Sequence, residues 1–178
     1  MAEQMDAHEV VLILNEFFTA MSRIIFKHDG VLDKFIGDCV MALFGAPTPC
    51  EAAVRQGLEA ATEMQQEVRR LNASRKVKRE IRIGIGLHTG PAVVGNIGSA
   101  DRVQYTAIGD TVNVAARLVD LAAGDQVIVS EDVYTALRDR GAFEYLGPVE
   151  LRGRRHGLNI YSAHWTEQAA SAEAGCTQ

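Results

Sequence analysis

The sequence has no apolar run near the ~20 residues that a helix needs to cross a bilayer, and Met1 to Ala7 lack the basic and apolar regions of a secretory signal. A cytoplasmic location with no membrane segment in this chain is therefore expected. Cysteine is scarce. Cys39, Cys50 and Cys176 are odd in number, far apart and in no C-x-x-C spacing, which argues against a disulfide framework and for free thiols in a reducing compartment. Basic charge is also short, since 18 Lys and Arg against 23 Asp and Glu leave a formal net charge of −5. Without a cationic surplus to displace counterions from a phosphate backbone, nucleic-acid binding is set aside. What remains is average apolar and charged content over 178 residues, enough for one domain to bury a core without disulfides or a structural metal.

Val10, Val11, Ile13, Leu14, Phe17, Phe18, Met21, Ile24 and Ile25 recur at helical spacing and stop at His28-Asp29-Gly30, which predicts a helix over 8–27. The β-prone runs 31–35 and 39–44 are joined by Gly37-Asp38 and predict a tight hairpin. Pro47 and Pro49 break the chain before a second amphipathic helix over about residues 50–71. In 81–88, Ile and Leu alternate with Arg82, Gly84, Gly86 and His88, and Thr89-Gly90-Pro91 leads into 92–95, which reads as another hairpin. A strand over 102–108, a helix over 111–121 with Asp110 as its N-cap, a strand over 126–129 and a short helix over 130–137 follow. Strands over 143–151 and 158–163 flank the basic turn Arg152-Gly153-Arg154-Arg155. Residues 166–178, rich in Ala, Ser, Glu and Gln, are expected to form a disordered tail. The alternation predicts an α+β domain over 1–165, with helices packed on an antiparallel sheet and no internal repeat or linker.

Few residues point to chemistry. Asp38, on a hairpin turn, has the form of a hard-cation ligand, because Mg²⁺ favours one or two carboxylates with substrate phosphates and water. Taken alone, an Asp there is more often a turn residue. Asn113 and Arg117 are four apart on one helix and share a face, where an amide beside a guanidinium suits charge developing on a phosphoryl group. A bare pair at that spacing is usually a solvated stripe. Gly84-Ile85-Gly86 and Gly95-Asn96-Ile97-Gly98 match no phosphate-cradling motif and are assigned to hairpins and close strand packing. Tyr105, Tyr145 and Tyr161 read as core aromatics.

Five segments taken in order carry more than any one of them: L-N-E-F-F at 14–18, D-K-F-I-G-D at 33–38, G-N-I-G at 95–98, the run from Tyr105 to Arg117, and L-R-G-R at 151–154. Together they resemble the catalytic domain of the class III nucleotidyl cyclases, the adenylyl and guanylyl cyclase family, over about Asp6 to His164. The resemblance implies a ferredoxin-like βαββαβ core and a head-to-tail homodimer with two composite active sites. It implies conversion of ATP to 3′,5′-cyclic AMP and pyrophosphate with two Mg²⁺ or Mn²⁺ ions. In that scheme Asp38 is the second metal aspartate, and Lys34 and Thr106 fall on the purine-reading positions in the adenine-selective pattern. Guanine-selective members carry glutamate and cysteine there. Asn113 would orient the ribose and Arg117 would neutralise the α-phosphate. Arg152 stands where the family usually has a lysine on the outer phosphates, and Arg102 is a further candidate for that contact. The family's opening strand, ending in a motif like D-I-x-G-F-T with the first metal aspartate, falls ahead of Met1, so a domain lacking that strand is expected. Two other readings stay open, a catalytically silent cyclase-homology module and a guanylate cyclase.

Overall fold

The computed structural model describes residues 7–74, 80–138, 142–150 and 157–164. The expected disordered tail and the basic turn with Arg152 lie outside the described residues. Two compact units are formed, Met1–Arg82 with Val94–Ala107, and Ile83–Val93 with Ile108–Gln178.

In the first unit, helix α1 (Ala7–Lys27) turns Phe17, Met21, Ile24 and Ile25 into the core, the stripe that its apolar spacing calls for. Helix α2 (Ala53–Ala73) buries Leu58, Val68 and Leu71 along with small residues at Gly57, Ala60 and Ala61. The C-terminal end of α1 is fastened to α2 where Lys27 Nζ and His28 Nε2 each lie 2.8 Å from Glu63 Oε2. Burial pushes the Glu63 carboxyl up, but hydrogen bonds and charge from Lys27 and His28 outweigh it and hold the group below the ordinary carboxylate range. A depressed carboxyl contributes stability that is present above its unfolded pKa and lost as pH falls through the folded one. Glu63→Gln is therefore expected to melt below the wild type at neutral pH, and the two melting curves should converge in acid.

Strands β1 (Val31–Ile36) and β2 (Cys39–Leu43) form the expected hairpin. Ile36 faces Cys39, which leaves Gly37-Asp38 as a two-residue loop, and Gly37 takes the positive φ of +62° that the first central position of a II′ turn needs. The pairing is irregular at one point. Leu32 faces Ala42 but Lys34 faces Met41, so Asp33 is the extra residue of a β-bulge. Strands β4 (Val93–Gly98) and β5 (Val103–Ile108) make a second antiparallel-type ribbon, closed by Ser99, whose N–H donates to the Arg102 carbonyl at 3.0 Å.

The second unit holds a four-stranded sheet in the order β3-β6-β8-β7, from β3 (Ile85–Leu87), β6 (Val127–Ser130), β7 (Ala142–Val149) and β8 (Leu158–His164). Helix α3 (Asp110–Leu121) covers one face, where Val114 and Leu118 meet Ile128, Leu158 and Ile160. Helix α4 (Glu131–Leu137) begins at Ser130, whose hydroxyl accepts from Val133 N–H, and buries Val133 and Leu137. All four residues of β6 are buried, as befits a central strand with both faces covered.

Three expectations are corrected. The hairpin read across 81–95 does not form, because β3 pairs in parallel with β6 and β4 pairs with β5. Its glycines serve a helix lying on the strand: a Cβ at Gly84 would sit 2.6 Å from the Ala122 carbonyl oxygen, and one at Gly86 2.7 Å from the Val119 nitrogen. Asp110 is the first residue of α3 rather than its cap, a position taken by Gly109 without a side-chain hydrogen bond. Tyr105 and Tyr145 are exposed, while Tyr161 is half-buried and stacks on Tyr134 at 4.0 Å. Among the described residues, no helix is long and apolar enough to cross a membrane.

Candidate active site

Two sets of chemistry-bearing residues are built locally, one in each unit. In the first, Lys34 on β1 and Thr106 on β5 meet although 72 residues separate them: Lys34 Nζ donates to Thr106 Oγ1 at 2.9 Å. Thr106 in turn donates to Asp33 Oδ2 at 2.6 Å, and the Ala107 N–H donates to the same oxygen at 3.3 Å. The other carboxylate oxygen, Oδ1, lies 3.3 Å from the Lys34 ammonium. Strand alternation would send Asp33 and Lys34 to opposite faces, and the bulge at Asp33 is what lets consecutive side chains converge. The Asp33 side chain is 0 % exposed and that of Lys34 31 %, so a sealed acid supports an ammonium with access to solvent. Sequence reasoning passed over Asp33. Its signal was an acid immediately before the lysine of D-K-F-I-G-D, which only the bulge makes meaningful.

In the second unit, α3 opens at Gly109, whose φ of 143° and ψ of 174° lie in a region essentially reserved for glycine. Its carbonyl accepts from the N–H groups of Val112 and Asn113. With Val114 and Leu118 turned to the sheet, Asn113 and Arg117 are left exposed one turn apart. Arg117 Nη1 lies 3.2 Å from Asp120 Oδ2, a pair open to water on both sides and so weak enough for the guanidinium to leave. Thr111 Oγ1 donates to the Pro91 carbonyl at 2.6 Å and ties the first turn of the helix to the loop after β3.

The remaining candidates are spread out. Asp38 is exposed at the tip of the β1–β2 hairpin. Arg102 is exposed in the loop before β5, about 13 Å from Thr106 along that strand. Arg152 lies outside the described residues. Among the described residues no group of three or more His, Cys, Asp or Glu could hold a metal ion. Asp38 alone offers one open carboxylate, which suits a hard cation whose other ligands are substrate phosphates and water.

Over residues 1–164 the sequence matches the family model described as the adenylate and guanylate cyclase catalytic domain. The chain belongs to this cyclase family. Among curated relatives, it is 35 % identical over 179 residues to adenylate cyclase 1 of Rhizobium meliloti (strain 1021), covering 98 % of this chain and 27 % of that protein. It is 33 % identical over 173 residues to an adenylate cyclase of Anabaena cylindrica, covering 90 % of this chain and 33 % of that one. The chain thus spans a third or less of these relatives. Among solved structures, the adenylyl cyclase CyaB from P. aeruginosa superposes with a TM-score of 0.88 at 27 % identity, over 94 % of this chain and 88 % of that one. The guanylyl cyclase Cya2 does so with a TM-score of 0.85 at 31 % identity, over 93 % and 85 %. The α+β architecture is that of a class III cyclase catalytic domain, and a cyclase of either purine is compatible with these likenesses.

Proposed function

We propose that residues 1–165 are the catalytic domain of an adenylate cyclase that converts ATP to 3′,5′-cyclic AMP and pyrophosphate. The observation that carries this reading is the Lys34–Thr106 contact of 2.9 Å, which sets an ammonium donor beside a hydroxyl. Adenine offers a ring-nitrogen acceptor next to an amino donor on its Watson–Crick edge, and a donor–acceptor pair on the protein complements it. Similarity to two proteins named adenylate cyclase points the same way.

In this reading the ribose 3′-oxygen attacks the α-phosphorus, the bond to the bridging oxygen breaks, and pyrophosphate leaves while the 3′-hydroxyl proton passes to solvent. Asn113 orients the ribose. Arg117, exposed on the same face of α3, meets the charge that accumulates on the α-phosphate. Arg152, and secondarily Arg102, hold the outer phosphates. Asp38 would be the carboxylate that holds Mg²⁺ or Mn²⁺, and two such ions would supply acidification of the attacking hydroxyl and screening of the triphosphate. The site is composite, completed by a second copy in a head-to-tail homodimer, and the domain works in the cytoplasm.

The test is product formation from ATP and from GTP with Mn²⁺, each resolved chromatographically. Cyclic AMP in clear excess is expected. Cyclic GMP in excess would move the assignment to guanylate cyclase, a reading favoured by the likeness to Cya2. Nucleotide binding without turnover of either substrate would leave a silent cyclase-homology module.

A further inference from the structure

We propose that Asp33 is a positioning residue for base selection: its buried carboxylate takes the one hydrogen of the Thr106 hydroxyl and braces the Lys34 ammonium. The pair then offers a purine one donor and one acceptor in fixed order. The inference rests on reading Lys34 and Thr106 as the base-reading pair and adds the device that sets their polarity.

The hydrogen-bond inventory leaves little freedom. An ammonium only donates, so in the 2.9 Å contact with Lys34 the Thr106 oxygen accepts. A hydroxyl has a single hydrogen, and Asp33 Oδ2 at 2.6 Å takes it, the Ala107 carbonyl at 3.5 Å being a distant alternative. The Ala107 N–H also only donates, which fixes Oδ2 as an acceptor from a second side. Thr106 is left with one lone pair and no hydrogen for a ligand. That suits the C6 amino group of adenine and opposes the C6 carbonyl of guanine, where two acceptors would face each other.

Among the described residues Asp33 Oδ1 makes no hydrogen bond, yet it lies 3.3 Å from the Lys34 ammonium. Attraction between the charges compensates for its burial and holds the ammonium beside Thr106, with protons still available for a ring nitrogen. A carboxylate serving only to stitch β1 to β5 would need its contact with Ala107 and nothing more. The bulge that turns Asp33 and Lys34 to one side serves the trio instead.

The experiment measures binding of 3′-deoxy-ATP and 3′-deoxy-GTP with Mn²⁺, analogues that lack the nucleophile and cannot cyclise. It uses the whole chain as wild type, Asp33→Ala, Asp33→Asn and Thr106→Ala, with thermal melting as a control for folding. Asp33→Ala frees the threonine hydrogen to meet a carbonyl, so the preference for the adenine analogue is expected to fall about 10-fold or more. Asp33→Asn keeps an acceptor for Thr106 and Ala107 but sets an amide NH₂ against Lys34. The preference should then stay within about threefold while the Kd of the adenine analogue rises about 10-fold. A folded Asp33→Ala protein with the wild-type preference overturns the proposal; if that variant does not fold, an unchanged Kd in Asp33→Asn does so. Thr106→Ala separates the two levels. If it abolishes the preference and Asp33→Ala does not, the inference about Asp33 alone fails. Equal binding of both analogues by the wild type, or no effect of Thr106→Ala, defeats the base-reading assignment and this inference with it.

Discussion

Replacing Arg117 with alanine is expected to lower kcat for cyclisation by about 10²–10³-fold, the usual cost of removing one preorganised donor at a developing charge. The melting temperature should move by no more than about 2 °C. Both halves of the expectation follow from where the side chain sits. Arg117 is exposed on the flank of α3, outside the stripe that buries Val114 and Leu118, so its loss takes nothing from the core. Its ion pair with Asp120 is open to water and contributes little to folding. In the ground state the triphosphate can be held by other cations, but charge on the α-phosphate peaks as the new bond forms, so the loss should fall on kcat more than on KM. Arg117→Lys keeps the charge without the planar fork and should recover part of the rate. Asp120→Ala should cycle close to wild type. Normal turnover in Arg117→Ala would remove the residue from the mechanism.

Local periodicity carried the helices well, as α1 shows: a run of apolar residues at helical spacing, ended by His28-Asp29-Gly30, has one plausible partner surface. The β1–β2 hairpin was legible for a similar reason, since Gly37 supplies the backbone conformation that its two-residue turn requires. What escaped was non-local. Ile81 to Leu87 alternates like a half-buried strand, and adjacency suggested pairing with 92–95, yet β3 finds its partner some forty residues on, in β6. Nothing in a window of ten residues encodes that choice. Gly84 and Gly86 look alike whether a strand or a helix approaches them, and only the position of α3 decides.

The candidate residues divide along the same line. The shared face of Asn113 and Arg117 follows from spacing, but their assignment to ribose and phosphate came from resemblance to a family. Lys34 and Thr106 were likewise paired by resemblance, and the structure sets them in contact. Asp33 stands in the D-K-F-I-G-D motif but receives no role from either approach, because a bulge suspends the alternation from which side-chain direction is read in a strand.

Gly86→Ala is expected to be strongly destabilising although it adds a single methyl group. A Cβ at this position would lie 2.7 Å from the Val119 nitrogen, 2.8 Å from Leu118 Cβ and 2.9 Å from the Ala115 carbonyl oxygen. Two of these three atoms are backbone, so no change of rotamer relieves the overlap. Either α3 lifts from β3 or the strand bows away, and both pull the fully buried Leu118 from its packing with Ile128. Overpacking against rigid neighbours should cost about 3 kcal/mol or more, which in a chain of this size lowers the melting temperature by roughly 6–12 °C. The same helix carries Asn113 and Arg117 on its exposed flank. A displacement of about 1 Å there should cost about 10²-fold in rate, even at temperatures where the variant is fully folded. Gly95→Ala is the matched control, since a Cβ at that position has nothing within 4 Å among the described residues. Thermal and urea unfolding of the two variants, with turnover at a temperature where both are native, give the comparison. If Gly86→Ala melted with the wild type and cycled normally, the close seat of α3 on β3 could not be what positions those two side chains.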